Sequence, residues 1–357
     1  MRTNMLSPLK AIAMLGTATV LTMPAQQRAL ASENVGVREI SALSPERGTD
    51  LDVIVWYPAL LGGKSMLLGE GMFSVGTPAM LGAPISEGAF PVVLLSHGAG
   101  IAGNAPALSW LAAPLASEGF IVAAPNHPGN SGPGRSAAET MKLWLRPGDI
   151  SDTLDAIGKD AFFKEHLESG KTGALGLSAG GSTALALAGA RIDPQRLASY
   201  CDTDALNPSL CDWVRQSGVD LHAMDMQSAG RQSEDRRIRF AMAIDPAPIG
   251  VFQPGTFAEI SIPVEIVNLG KPGTIPVTAD AAGVAKAILK SRYSTIPDSS
   301  HFSMFAECKP GAEETATAKE IGDPICRDGG SRSRSAIHRQ LIDIVTAAFK
   351  RELGSGR

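Results

Sequence analysis

Gly176-Leu177-Ser178-Ala179-Gly180 places a serine between two glycines where a short apolar run, Gly173–Leu177, gives way to small residues. That pattern suits a sharp turn from a strand into a helix. A serine at such a turn is held in a strained conformation that lifts its hydroxyl off the sheet, and flanking glycines leave no side chain to collide across the bend. The chemistry it offers is nucleophilic attack on a carbonyl, with the N–H of Ala179 aimed where charge develops on the carbonyl oxygen. A plain glycine-rich turn before a helix competes for the same residues, so the partners decide.

A serine hydroxyl needs a base, an acid to orient the base, and a second donor for the oxyanion. Six histidines are available. His301, within Asp298-Ser299-Ser300-His301-Phe302-Ser303, follows an apolar run in turn-forming surroundings that suit the carboxyl edge of a sheet, and it is the expected base. His338 falls inside the last amphipathic stretch and is expected to be exposed; His166 and His222 lie in polar segments. His97 and His127 each follow an apolar run and are expected to bridge loop backbone around the site. For the acid, Asp245 ends Phe240–Ile244, at the strand end where catalytic groups gather in parallel sheets. Val264–Val267 is followed instead by Asn268-Leu269-Gly270-Lys271, without a carboxylate. Asp280 and Asp298 are the fallbacks. Ser96-His97-Gly98-Ala99-Gly100 supplies the second donor, the N–H of Ala99, with Gly98 as alternate.

Positioning these groups takes a sheet. Pro91–Leu95, Phe120–Ala124, Gly173–Leu177 and Phe240–Ile244 are short apolar runs, as expected of parallel strands buried on both faces. Leu51–Tyr57, Pro263–Val267 and Tyr293–Pro297 extend the series. Helical stretches alternate with them: Ala105–Glu118, Asp149–Ile157, Gly180–Ala190, Ala279–Lys290 and Ser335–Arg351. The fold class is therefore α/β, with a mainly parallel central sheet and helices on both faces. Leu61–Gly88, rich in Gly, Pro, Met and Ser, reads as a long loop. Arg191–Arg237 is a polar excursion directly after the serine's helix, placed to form a cap insertion over the site with Trp213, Leu221, Met224 and Met226.

The chain opens with Arg2 and Lys10, an apolar run over 11–23, and small residues at Ala29 and Ala31. Residues 1–31 read as a secretory signal peptide cleaved after Ala31, leaving one domain over 32–357 that is periplasmic or secreted. The apolar run is shorter than the roughly 20 residues needed to span a bilayer, so no stable membrane insertion is expected. Four cysteines form an even set; Cys201 with Cys211 and Cys308 with Cys326 is the simplest of the possible connectivities. Neither pair has metal-ligand spacing, so no metal is expected. A formal net charge of −4, made more negative once the basic leader is gone, argues against a nucleic-acid partner. The arginine-rich stretches 231–239 and 332–339 read as solvated faces.

Leu95-Ser96-His97-Gly98-Ala99-Gly100, Ala123-Ala124-Pro125-Asn126-His127-Pro128-Gly129-Asn130, Arg146-Pro147-Gly148-Asp149, Gly176–Gly181, Ala243-Ile244-Asp245 and Ser300-His301-Phe302 occur in the order seen in one family. The chain resembles bacterial exported α/β hydrolases of the dienelactone-hydrolase-like group, related to platelet-activating-factor acetylhydrolase, from about Val35 to the last helix. The resemblance implies an α/β-hydrolase fold with Ser178 as nucleophile, Asp245 as acid, His301 as base, and Ala99 and Ala179 as oxyanion donors. Leu177 departs from the family, where histidine or glutamine commonly precedes the serine. Gly270-Lys271 departs where an aspartate is often present. The implied activity is a carboxylesterase cleaving small or short-acyl esters through an acyl-serine, without a cofactor. A lipase or phospholipid acyl hydrolase, a thioesterase, a peptidase, or a non-catalytic ligand-binding member of the fold are the alternatives.

Overall fold

The computed structural model describes Met1 and residues 35–100 and 103–354. The expected leader and its cleavage site after Ala31 lie outside the described residues. Ten strands form one sheet: β1 (Val35–Ser44), β2 (Thr49–Pro58), β3 (Lys64–Leu68), β4 (Thr77–Leu81), β5 (Phe90–Ser96), β6 (Ile121–Pro125), β7 (Leu167–Leu177), β8 (Ile238–Ile244), β9 (Val264–Leu269) and β10 (Ser291–Ile296). Their order is β10-β9-β8-β7-β5-β6-β2-β1-β4-β3. The six strands from β10 to β6 run parallel, and β2 turns the sheet antiparallel at β6.

The helices are α1 (Ser109–Ser117), α2 (Ala137–Met141), α3 (Arg146–Lys159), α4 (Ala179–Leu187), α5 (Pro194–Ala198), α6 (Pro208–Gln216), α7 (Ala282–Ala287), α8 (Ala312–Ala318) and α9 (Arg334–Leu353). Successive side chains on a strand point to opposite faces, so an uninterrupted apolar run needs cover on both sides. On β5, Val93 and Leu95 join Leu111 of α1 and Leu341 and Val345 of α9 in one core. Val92 and Leu94 join Ile150 and Leu154 of α3 and Leu187 of α4 in the other. The expected α/β architecture with helices on both faces is therefore the observed one.

A third core lies where β8 and β9 meet the 191–237 segment: Ala243 and Ile266 pack with Tyr200, Val214, Leu221 and Met226. Local sequence starts both helices of that segment. The Asp193 carboxylate accepts from the N–H groups of Gln195 and Arg196, and the Asn207 side chain accepts from that of Leu210, with proline at the first helical turn of each. The Cys201–Cys211 disulfide ties the segment together, and Cys308–Cys326 closes a loop near the carboxyl end. The local pairing is the expected one. No helix among the described residues is long and apolar enough to cross a membrane.

The stretch 61–88 is not simply a loop. β3 and β4 lie within it, antiparallel to each other, and β4 runs beside β1 at the sheet's edge. Their mixed burial gives no clean alternation, and their glycine and proline neighbours dominate the local pattern. The arginine-rich stretches are not uniformly solvated either: Arg334 is buried, with its guanidinium on Asp328 at 2.9 Å and on the carbonyl of Ile325 at 2.8 Å.

Candidate active site

Ser178 follows the last residue of β7 and caps α4, with φ 54° and ψ −120°. That conformation is costly for a residue with a side chain and persists only where surroundings impose it. Here the Ser178 N–H donates to the Ile244 carbonyl at 3.0 Å, and the Ser178 carbonyl accepts from Gly181 at 2.8 Å and Ala247 at 3.1 Å. Both glycines of the motif are demanded by contact. A β-carbon at Gly176 would stand 1.8 Å from the Gly180 carbonyl oxygen, and one at Gly180 would stand 1.8 Å from that of Ser96.

His301 reaches this serine from across the carboxyl edge of the sheet. Its Nε2 is 3.1 Å from Ser178 Oγ, and its Nδ1 is 2.6 Å from Asp245 Oδ2. With Asp245 accepting at Nδ1, a neutral ring carries its proton there and leaves Nε2 free to accept the serine proton. The His301–Met304 turn is fixed from below. His338 Nε2 donates to the Ser303 carbonyl at 2.9 Å, and Trp110 Nε1 donates to that of Met304 at 3.1 Å. The two rings stack with centroids 3.7 Å apart. His338 is thus buried rather than exposed as the helical pattern suggested, and burial draws its pKa down to about 4.

Asp245 is fully buried and adopts φ 47° just past β8. Its N–H donates to Val267 at 2.7 Å. Its second oxygen, Oδ1, accepts from Asn268 Nδ2 at 2.6 Å and from the Leu269 N–H at 2.8 Å. The two fallback aspartates are engaged elsewhere. Asp280 Oδ1 accepts from the Ala282 N–H at 3.1 Å, and Asp298 faces Lys271 at 4.0 Å.

The loop after β5 lies against the serine. Gly98 and Ala99 line one cavity with Ser178 and His301, and a β-carbon at Gly98 would be 3.3 Å from that of Ser178. Among the described residues, neither the Ala99 nor the Ala179 N–H donates to the protein. His97 bridges loop backbone, as expected: its Nε2 accepts from the His127 N–H at 3.0 Å and its Nδ1 lies 2.7 Å from the Gly98 carbonyl oxygen. The His127 ring does not; its two nitrogens meet side chains instead, Ser96 Oγ at 2.8 Å and Asp149 Oδ2 at 2.7 Å. The cavity, of about 310 Å³, has an apolar wall of Leu108, Leu177, Phe302 and Phe305. Leu210 and Trp213 of α6 complete it, and the Arg135 guanidinium lies 4.2 Å from the Trp213 ring centroid.

Residues 69–201 match the chlorophyllase family. Among solved structures, a ferulic acid esterase from Streptomyces cinnamoneus is similar over 90% of this chain and 89% of its own, with a TM-score of 0.58 at 18% identity. The chain has the α/β-hydrolase fold. A dienelactone hydrolase from Anabaena variabilis matches over 90% of this chain and 99% of its own, with a TM-score of 0.48 at 14% identity. No curated protein sequence matches.

Within this α/β-hydrolase fold the structure brings together Ser178, His301, Asp245, Ala99, Gly98 and Ala179, all singled out from sequence. Asn268, within β9, carries no carboxylate and so does not stand out by residue type as part of a triad. Its signal in the sequence was only that of an uncharged hydrogen-bonding residue at the end of a strand beside the one that ends at Asp245. Asp149 and Arg146 stood in the family motif without a role; both are buried within reach of the histidines behind the serine's loop.

Proposed function

We propose that the protein is an exported serine hydrolase that cleaves carboxylic esters through an acyl-serine. The observation that carries this reading is the unbroken chain from Ser178 Oγ through His301 to Asp245, with contacts of 3.1 Å and 2.6 Å. In this scheme Ser178 Oγ attacks the ester carbonyl as His301 Nε2 takes its proton, and the alkoxide leaves with that proton. Asp245 holds the ring and stabilises the imidazolium. Water, activated by the same nitrogen, then releases the acid and regenerates the serine.

The N–H groups of Ala99 and Ala179 receive the oxyanion, each such donor being worth about 2.7–4 kcal/mol in a comparable hydrolase. Residues 191–237 serve as the cap, whose Leu210 and Trp213 wall the acyl or alcohol side. The cavity volume and apolar wall favour small or short-acyl esters. Paired cysteines are in keeping with export.

Hydrolysis of p-nitrophenyl acetate by Ser178→Ala tests the assignment. The expected loss is about a millionfold in kcat, together with loss of stoichiometric fluorophosphonate labelling. Turnover near that of the unaltered protein would overturn it.

A further inference from the structure

Behind the loop that carries Ala99 lies a second serine–histidine–aspartate chain, and it is sealed. Ser96 Oγ is 2.8 Å from His127 Nε2, and His127 Nδ1 is 2.7 Å from Asp149 Oδ2. Arg47 grips the same carboxylate with Nε at 2.9 Å and Nη2 at 2.7 Å. Ser96, His127 and Asp149 are all buried, so the arrangement has no route to a substrate. What it can do is hold His127, and with it the direction of the His127 main-chain N–H.

That N–H donates to His97 Nε2 at 3.0 Å. A backbone N–H can only donate, so Nε2 carries no proton. In the neutral ring the proton sits on Nδ1, which lies 2.7 Å from the Gly98 carbonyl oxygen and donates to it. Burial, reinforced by His127 and Arg146 nearby, pushes the pKa of His97 well below the ordinary histidine value and keeps the ring neutral.

The Gly98–Ala99 peptide is trans and planar, so its carbonyl and its N–H point in opposite directions. Drawing the Gly98 oxygen towards the buried His97 ring turns the Ala99 N–H away from that ring, towards the cavity Ala99 shares with Ser178. Arg146 fixes the neighbouring peptide. Its guanidinium donates to the His97 carbonyl and, through Nε, to Thr183 Oγ1 at 3.2 Å on the helix that begins after Ser178.

We propose that His97 is the positioning residue of the oxyanion site: its Nδ1–H holds the Gly98 carbonyl so that the Ala99 N–H faces the developing charge, and the Ser96–His127–Asp149–Arg47 chain fixes the tautomer that allows it. The inference rests on the serine-hydrolase reading above. It gives the buried chain a purpose that packing alone would not need.

The test compares His97→Leu, which removes the donor, with His97→Asn, whose amide can donate from the place of Nδ1. Each is assayed with p-nitrophenyl acetate beside Ser178→Ala, and active sites are counted with a fluorophosphonate. His97→Leu should lose about a hundredfold in kcat per active site, as for removal of one oxyanion donor. Its KM should stay within about threefold, and phenylboronic acid, a mimic of the tetrahedral adduct, should bind more weakly by a factor similar to the kcat loss. His97→Asn should recover most of the loss. His97→Leu with an unaltered kcat per active site overturns the proposal while Ser178→Ala remains inactive. An active Ser178→Ala overturns the serine reading instead. Should His97→Leu not fold, imidazole nitrogen spectra of the unaltered protein decide: protonated Nδ1 with bare Nε2 at His97 is expected, and the opposite tautomer overturns the proposal.

Discussion

Asn268, near the end of β9, donates through Nδ2 to Asp245 Oδ1 at 2.6 Å. Every polar atom of its amide is used. Nδ2 also donates to the Ala279 carbonyl at 2.7 Å, and Oδ1 accepts from the Ala281 N–H and the Tyr293 hydroxyl, each at 3.1 Å. One uncharged side chain thus aims the acid and ties β9 to the loop beyond it. Asn268→Leu leaves the Ala279 and Ala281 groups unpaired, so it should cost about 1–3 kcal/mol of stability. It should also lower kcat about tenfold by loosening Asp245, a drop of about 1.4 kcal/mol in transition-state stabilisation. Urea unfolding and ester hydrolysis check the two effects; a variant as stable and as active as the unaltered protein would show Asn268 to be incidental.

Asp245→Asn keeps the shape of the acid and removes its charge. An amide in that place can turn its own N–H towards His301 Nδ1, which favours the tautomer with the proton on Nε2, where it cannot accept from Ser178. The expected fall in kcat is about ten-thousandfold, with KM little altered. A loss below about tenfold would mean that another carboxylate orients the ring.

The parts of this site that lie next to strand ends were legible, because an apolar run followed by Ser178, by Asp245 or by Gly98-Ala99 is a local pattern. Parallel topology then sends all those ends to one edge. The supports were not legible in the same way. Whether His338 faces water depends on Trp110, far away in sequence, offering a ring to stack on and on the Ser303 carbonyl lying within 2.9 Å. Nothing in the helical spacing of Ile337, Leu341 and Val345 encodes either. The β3–β4 pair was hidden for a different reason: it forms an edge with few buried residues, and turn-forming neighbours outweigh a weak alternation.

Stability should fall in mild acid through the buried histidines. His338 titrates near 4 in the fold against about 6.5 when free, because burial opposes its charged form. The folded-state value lies below the unfolded one, so protons favour the unfolded chain. The stabilisation is complete above about pH 6.5 and is lost as the pH drops towards 4, the loss reaching about 2 kcal/mol by pH 5. His97 and His127 are shifted in the same direction by burial and steepen the decline. Urea denaturation at pH 7 and pH 5 measures the slope, which should be shallower in His338→Gln. An unchanged slope in that variant would assign the acid sensitivity to other groups.

Trp213 connects the 191–237 segment to the cavity, since it sits on α6 and faces the same space as Ser178. Its ring also carries the Arg135 guanidinium at 4.2 Å, so one side chain braces both an apolar wall and a cation at the rim. Trp213→Ala removes that wall without touching the Ser178–His301–Asp245 contacts. If the segment caps the site, KM for an aryl ester should rise about tenfold, the equivalent of about 1.4 kcal/mol of lost contact. Its kcat should change less than about threefold, because the lost contact serves substrate and transition state alike. Methyl acetate, too small to reach the ring, should show little change in KM, and equal effects on both esters would place Trp213 outside the binding surface.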